Sequence, residues 1–173
     1  MTRLALEQLE PQAAERVLEI GFGGGGLLEG LLQRGCESVG VDISEAMVRR
    51  ARWRYPAAEL HLASVERLPL ADASVDKAVS LNSLYFWPDP AKAMSELARV
   101  VRPAGRLVLA FEPAEELREW PGHRYGFRLY GEDEVRGLLH RAGFADVRTS
   151  VGTGRNPDRF LCLTARRLGA ETG

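Results

Sequence analysis

Glu19, Gly21, Gly23 and Gly25 alternate along Arg16-Val-Leu-Glu-Ile-Gly-Phe-Gly-Gly-Gly-Gly-Leu-Leu28, the stretch of this chain best suited to hold a small ligand. Glycines at such a turn let the backbone adopt positive φ and approach a ligand with no Cβ in between. Gly21-x-Gly23-x-x-Gly26 also satisfies the dinucleotide spacing letter by letter. Glu19 argues differently, because a carboxylate entering the turn suits a charged ammonium or an ordered water and would repel a pyrophosphate. Asp42 follows Gly21 by 21 positions, and a carboxylate there can accept both hydroxyls of a ribose. Alone, Asp42 fits a nicotinamide or an adenosyl cofactor equally.

Periodic apolar segments must position these groups. Val17, Leu18 and Ile20 form a short buried strand ahead of the turn, and Leu27, Leu28, Leu31 and Leu32 recur at helical spacing as far as Gly35. Residues 38–43 read as a second strand ending on the acid, and Ser44 caps a helix that Pro56 stops. Residues 60–63 and 76–81 read as the third and fourth strands, separated by the loop Leu68-Pro-Leu-Ala-Asp-Ala-Ser74. Asp89 and Pro90 open a helix with the stripe Met94, Leu97, Ala98 and Val101, ended by Pro103 and Gly105, and residues 106–111 form the fifth strand. Five strands alternating with helices require a parallel sheet covered on both faces, with ligands at the carboxyl ends of its central strands. Further on, Val135, Leu138, Leu139 and Ala142 give another helix, and two strands around Val147 and residues 160–165 predict an antiparallel hairpin at the sheet edge.

With 173 residues, 45% hydrophobic and 27% charged, the chain suits one globular domain and has no room for a separate substrate domain of similar size. No apolar run approaches the roughly 20 residues of a membrane span, and the first 16 residues read as charged and polar without a signal-peptide core. A cytoplasmic protein without a membrane partner is expected. Cys36 and Cys162 are far apart, which supports neither a disulfide framework nor a metal site. A net charge of −1 disfavours a nucleic-acid partner. The basic cluster Arg49, Arg50, Arg52 and Arg54 reads as a solvated helix face. Lys77 and Lys92 are the only lysines, an arginine bias that fits a GC-rich bacterial genome.

Four blocks of the sequence together resemble the class I S-adenosylmethionine-dependent methyltransferases, in particular the type 11 group with a ubiquinone/menaquinone-methyltransferase-like core. Residues 17–25 match that family's cofactor loop, 39–47 its ribose-binding segment, 68–76 its LPF-x-D-x-SFD loop, and 99–107 its R-V-L-x-P-G-G-x-L turn. The resemblance implies an α/β, Rossmann-like doubly wound sheet of seven strands, mostly parallel with an antiparallel last strand. It implies a single S-adenosylmethionine-binding domain over residues 1–173 with little or no N-terminal lid. By the same resemblance the cofactor is S-adenosylmethionine, the product S-adenosylhomocysteine, and the partner a small-molecule acceptor methylated by in-line displacement.

Carried over by position, the resemblance sets Glu19, Gly21 and Gly23 toward the methionyl part. It gives Asp42 the ribose, Ile43 the adenine face, and Ser64 and Val65 the adenine amino group, where the family usually has Asp-Ala. Asn82 reaches the methionyl group or caps its own backbone. Tyr85, Phe86 and Trp87 fall where the family places residues near the transferred methyl. Such rings stabilise a sulfonium by roughly 0.5–2 kcal/mol, or else at least two of the three pack in the core. His123 and Tyr125 are candidates for a general base, but no catalytic residue is assigned. Ala104 replaces the first glycine of the family's turn, which is tolerable unless the position needs positive φ. The short N-terminus predicts an open site, or one closed by residues 112–130 or by a second subunit as a homodimer. Two rival readings remain: a non-catalytic adenosyl-binding or partner module, and an NAD-dependent oxidoreductase.

Overall fold

The computed structural model describes residues 1–117, 127–154 and 159–169. They run α1 (Thr2–Leu9), β1 (Arg16–Ile20), α2 (Gly26–Leu32), β2 (Glu37–Asp42), α3 (Glu45–Arg54), β3 (Glu59–Leu62) and β4 (Val75–Leu81). A single 3-10 turn (Leu84–Phe86) follows, then α4 (Pro90–Val100), β5 (Val101–Phe111), α5 (Ala114–Leu117), α6 (Glu132–Arg141), β6 (Phe144–Thr153) and β7 (Arg159–Arg167). The strands form one sheet in the order β3-β2-β1-β4-β5-β7-β6. β1 to β5 are parallel, and β7 runs antiparallel between β5 and β6. The order reverses between β1 and β4, and the glycine turn leaves β1 at that point.

Both faces of the sheet are buried, as a parallel sheet requires. Leu18, Ala78, Leu107 and Leu109 point toward α4 and α6, where Met94, Leu97, Val135 and Leu139 meet them. Val17, Val79, Val108 and Ala110 point the other way, toward Leu27 and Leu31 of α2. The helix starts follow their caps: the Ser44 hydroxyl accepts from Met47 N, and the Asp89 carboxylate from Lys92 N.

Two sequence expectations need correction. The first residues are not simply polar, because Thr2–Leu9 is a helix whose Ala5, Leu6 and Leu9 join the cluster on the α2 face. Its C-terminal carbonyls are capped from the sheet, with Lys77 Nζ donating to Glu10 O (2.6 Å) and Arg106 Nη1 to Gln8 O (2.7 Å). β5 also starts earlier than residue 106. Val101 already pairs with Val75, residues 102–105 loop out, and pairing resumes at Arg106 with Lys77. Ala104 occupies that loop at φ 64°, the left-handed conformation that the family's glycine accommodates without strain.

Arg99 ties the two downstream motif blocks together. It donates to Leu68 O (3.1 Å), Leu70 O (2.8 Å) and the Asp72 carboxylate (2.7 Å), and it pairs with Glu96, which accepts from Leu68 N (2.9 Å). Residues 68–76 and 99–107 are thus one brace that fixes the start of β4 and β5, away from the ligand end of the sheet.

Candidate cofactor and active site

The carboxyl ends of β1, β2, β3 and β4 meet at a cleft of about 590 Å³, inside the roughly 300–1,000 Å³ range of small-ligand pockets. Gly21, Gly23, Asp42, Ile43, Ser64, Val65 and Asn82 all line it. Glu19 does not. It is 3% exposed beneath the turn, and its Oε2 has no hydrogen-bond partner among the described residues. Burial pushes its carboxyl up to about 8, against the pull of the Leu28 backbone N–H and with the help of the nearby Asp42 charge.

The turn is held from both sides. Gly21 N donates to Val41 O (2.8 Å) and Gly23 N to Asp42 Oδ2 (3.0 Å), which clamps the turn to β2. Gly21 stands at φ +67°, and a Cβ there would come 2.5 Å from the Cβ of Ser83. Gly24 is explained differently: a Cβ would meet no protein atom within 4 Å, yet the residue lines the cleft, so its bare backbone leaves room for a ligand.

Asp42 carries two backbone bonds, Oδ1 accepting from Ser44 N (2.8 Å) and Oδ2 from Gly23 N. A carboxylate offers about four lone-pair sites, so one per oxygen stays free for a pair of vicinal hydroxyls. Ile43, 68% exposed, presents an apolar face beside it, and buried Val65 also lines the cleft. Ser64 Oγ accepts from Glu66 N (3.2 Å) and keeps its own hydrogen to donate. Glu66 is turned away to cap Asp89 N (2.7 Å) and lies outside the cleft lining.

Asn82 sits at φ 50°, with its N–H bonded to Ala110 O (2.8 Å). This strained conformation holds it on the rim between β4 and the aromatic turn. Tyr85 and Trp87 are buried while Phe86 is half exposed, and both Phe86 and Trp87 line the cleft. The remaining histidines lie elsewhere, His61 paired with Glu59 on β3 and His140 exposed on α6. His123 and Tyr125 fall outside the described residues.

Residues 18–109 match the family described as a methyltransferase domain, more than half of the chain. The chain belongs to the class I S-adenosylmethionine-dependent methyltransferases. Among relatives of this methyltransferase chain, the uncharacterised methyltransferase Rv3342 of Mycobacterium tuberculosis is 41% identical over 116 residues, 67% of this chain and 47% of that protein. The chain thus spans about half the length of that relative. The uncharacterised methyltransferase YdaC of Bacillus subtilis is 26% identical over 171 residues, 96% of this chain and 91% of that one. In fold, the chain superimposes on a Haloferax volcanii methyltransferase solved with its activator Trm112 at a TM-score of 0.87. Identity there is 21%, covering 96% of this chain and 88% of that chain.

Ser83 is one of several cleft residues that the sequence did not single out. The Ser83 hydroxyl bonds the Ser80 hydroxyl and accepts from Trp87 Nε1 (3.2 Å), while its Cβ abuts Gly21. Nothing in its sequence neighbourhood announces this, since the role comes from the approach of two loops 62 positions apart.

Proposed function

We infer that this chain binds S-adenosylmethionine in the cleft and transfers its methyl group to a small-molecule acceptor. The observation that carries the reading is the Asp42 carboxylate. Both its oxygens are oriented by backbone N–H groups, with free lone pairs beside the open backbone of Gly23 and Gly24. The residues present fit the group: a vicinal diol for Asp42, a flat base for Ile43 and Val65, and bare backbone for a close methionyl chain. Ser64 donates or accepts at the base edge without the charge assistance of the usual carboxylate, a hydrogen bond weaker by a factor of about two. Glu19, buried beneath the turn with an unpartnered oxygen, is the carboxyl left to meet an ammonium through an ordered water.

The bound cofactor would supply an electrophilic methyl carbon on a sulfonium. The chain's own contribution is position and dryness. Gly21, Asn82 and Ser83 set the end of the cofactor that faces Phe86 and Trp87. Among the described lining residues Asp42 is the one carboxylate and no histidine, lysine or arginine occurs, so a protonated acceptor would have to bring a low pKa of its own or find a base elsewhere.

Thermal unfolding tests the reading. At about 100 times its dissociation constant, S-adenosylmethionine or S-adenosylhomocysteine adds roughly 2.7 kcal/mol, a rise of roughly 5–10 °C for a chain of this size. A shift with NAD and none with either adenosyl ligand would overturn it. Adenosyl binding with no S-adenosylhomocysteine formed across a broad acceptor panel would favour the non-catalytic module.

A further inference from the structure

We propose that Ser64 sets the base selectivity of the cleft, which takes purine nucleoside thioethers whether position 6 of the base carries a hydrogen-bond donor, an acceptor or neither. The inference rests on the adenosyl-binding reading above and widens the ligand class of that same site. Sheet order decides which end of the cleft meets the base. β2, which ends on Asp42, lies between β1 and the outermost strand β3. The glycine turn leaves β1, so a ribose on Asp42 has its methionyl side toward β1 and its base toward β3. The chain leaving β3 contributes Ala63, Ser64 and Val65 to the cleft lining.

Few polar groups serve that end. Among the described lining residues, the side chains able to hydrogen-bond are those of Asp42, Ser44, Ser64, Asn82 and Ser83. Asn82 and Ser83 follow β4, which lies beyond β1. Asp42 is given to the ribose, and Ser44 Oγ is turned to the first turn of α3, where it accepts from Met47 N. The nearby Glu66 carboxylate accepts from Asp89 N (2.7 Å) and lies outside the lining. Ser64 is therefore the side chain left to read the edge of a base.

What a serine can read follows from its donors and acceptors. Ser64 Oγ accepts one bond, from Glu66 N (3.2 Å), which anchors the oxygen. A second lone pair and the hydroxyl hydrogen stay free. That hydrogen rotates to suit its partner, so Ser64 accepts from an exocyclic amino group or donates to an exocyclic oxygen without moving a heavy atom. Where the base offers neither, a water completes the half-buried hydroxyl. A carboxylate in this place would be an acceptor only, and an acceptor on the base would face it lone pair to lone pair. Neutral hydrogen bonds are worth roughly 2- to 13-fold in affinity, against roughly 10- to 150-fold for those to a charged group. Discrimination at position 6 is accordingly weak in this chain.

The experiment measures, by calorimetry on the full chain, the dissociation constants of three homocysteine thioethers. They are S-adenosylhomocysteine and its counterparts built on unsubstituted purine riboside and on 6-methoxypurine riboside. All three keep ring nitrogen N1 as an acceptor, so only position 6 changes. Expected in the parent are three constants within about tenfold of one another. Ser64→Asp, which keeps an oxygen for Glu66 N, should widen the preference for the adenosyl ligand by a further tenfold or more. A parent that prefers the adenosyl ligand by more than about tenfold over either analogue, or a Ser64→Asp chain with the parent's selectivity, overturns the inference while leaving the cofactor reading intact. Failure of the parent chain to bind S-adenosylhomocysteine overturns that reading and this inference with it.

Discussion

Replacing Asp42 with asparagine separates the two jobs the structure gives this carboxylate. Oδ1 and Oδ2 accept from Ser44 N and Gly23 N at 2.8 and 3.0 Å. Whichever way the amide is turned, its NH2 faces one of those two donors. One charge-assisted bond is then lost, about 1.5–3 kcal/mol, which lowers the melting temperature by roughly 3–12 °C for a chain of this length. The same change removes one of the two acceptors offered to the ribose, a second loss of about 1.5–3 kcal/mol, or roughly 10- to 150-fold in dissociation constant. Calorimetric titration with S-adenosylhomocysteine, run well below the variant's melting temperature, reads the binding part. Titration with adenine alone controls for distortion of the turn, since adenine carries no ribose. The reasoning is refuted if the variant binds S-adenosylhomocysteine within threefold of the parent, or if adenine loses as much as the nucleoside does.

Ala104→Gly should stabilise the fold by about 0.5–1 kcal/mol, because relief of the left-handed conformation at φ 64° outweighs the glycine's extra unfolded-state freedom; urea denaturation with an unchanged m-value checks it. Gly25→Ala should destabilise by roughly 2–4 kcal/mol and abolish adenosyl binding, since the residue stands at φ +75° and a Cβ would lie 2.4 Å from the Tyr55 ring. A melting curve within 2 °C of the parent, on the scale of roughly 2–4 °C per kcal/mol, would contradict this. Glu19, its carboxyl pushed up to about 8 by burial, stays protonated in the folded chain after its unfolded counterpart has ionised. Its contribution is therefore complete below the unfolded value of 4.5 and declines as pH rises to about 8, by up to about 1.4 kcal/mol per pH unit. Glu19→Gln should flatten that slope in denaturation measured from pH 5 to 8, and an unchanged slope would remove the assignment.

The order of strands and helices is readable because each apolar run has one period and a cap or breaker at its end, as with Ser44, Pro56 and Asp89. What escaped depends on contacts across the sequence. The helix Thr2–Leu9 carries only a short stripe and becomes stable by packing Leu6 and Leu9 on the sheet, which no local pattern states. The early start of β5 at Val101 depends on pairing with Val75. The placement of β7 between β5 and β6 is likewise a property of the finished sheet. In the site, seven of the eight expected residues lie on the cleft because they follow strand ends directly. Glu19 lies two residues earlier, inside β1, and points into the protein. Of the three aromatics, burial of Tyr85 and Trp87 came from the tertiary fold, and only Phe86 remained open.

The most direct test of the account is a crystal structure of the chain grown with S-adenosylhomocysteine. Expected are the ribose hydroxyls on Asp42, the adenine between Ile43 and Val65, and the homocysteine sulfur directed at Phe86 and Trp87. Nucleoside density in another pocket, or in this cleft with the ribose away from Asp42, would contradict it.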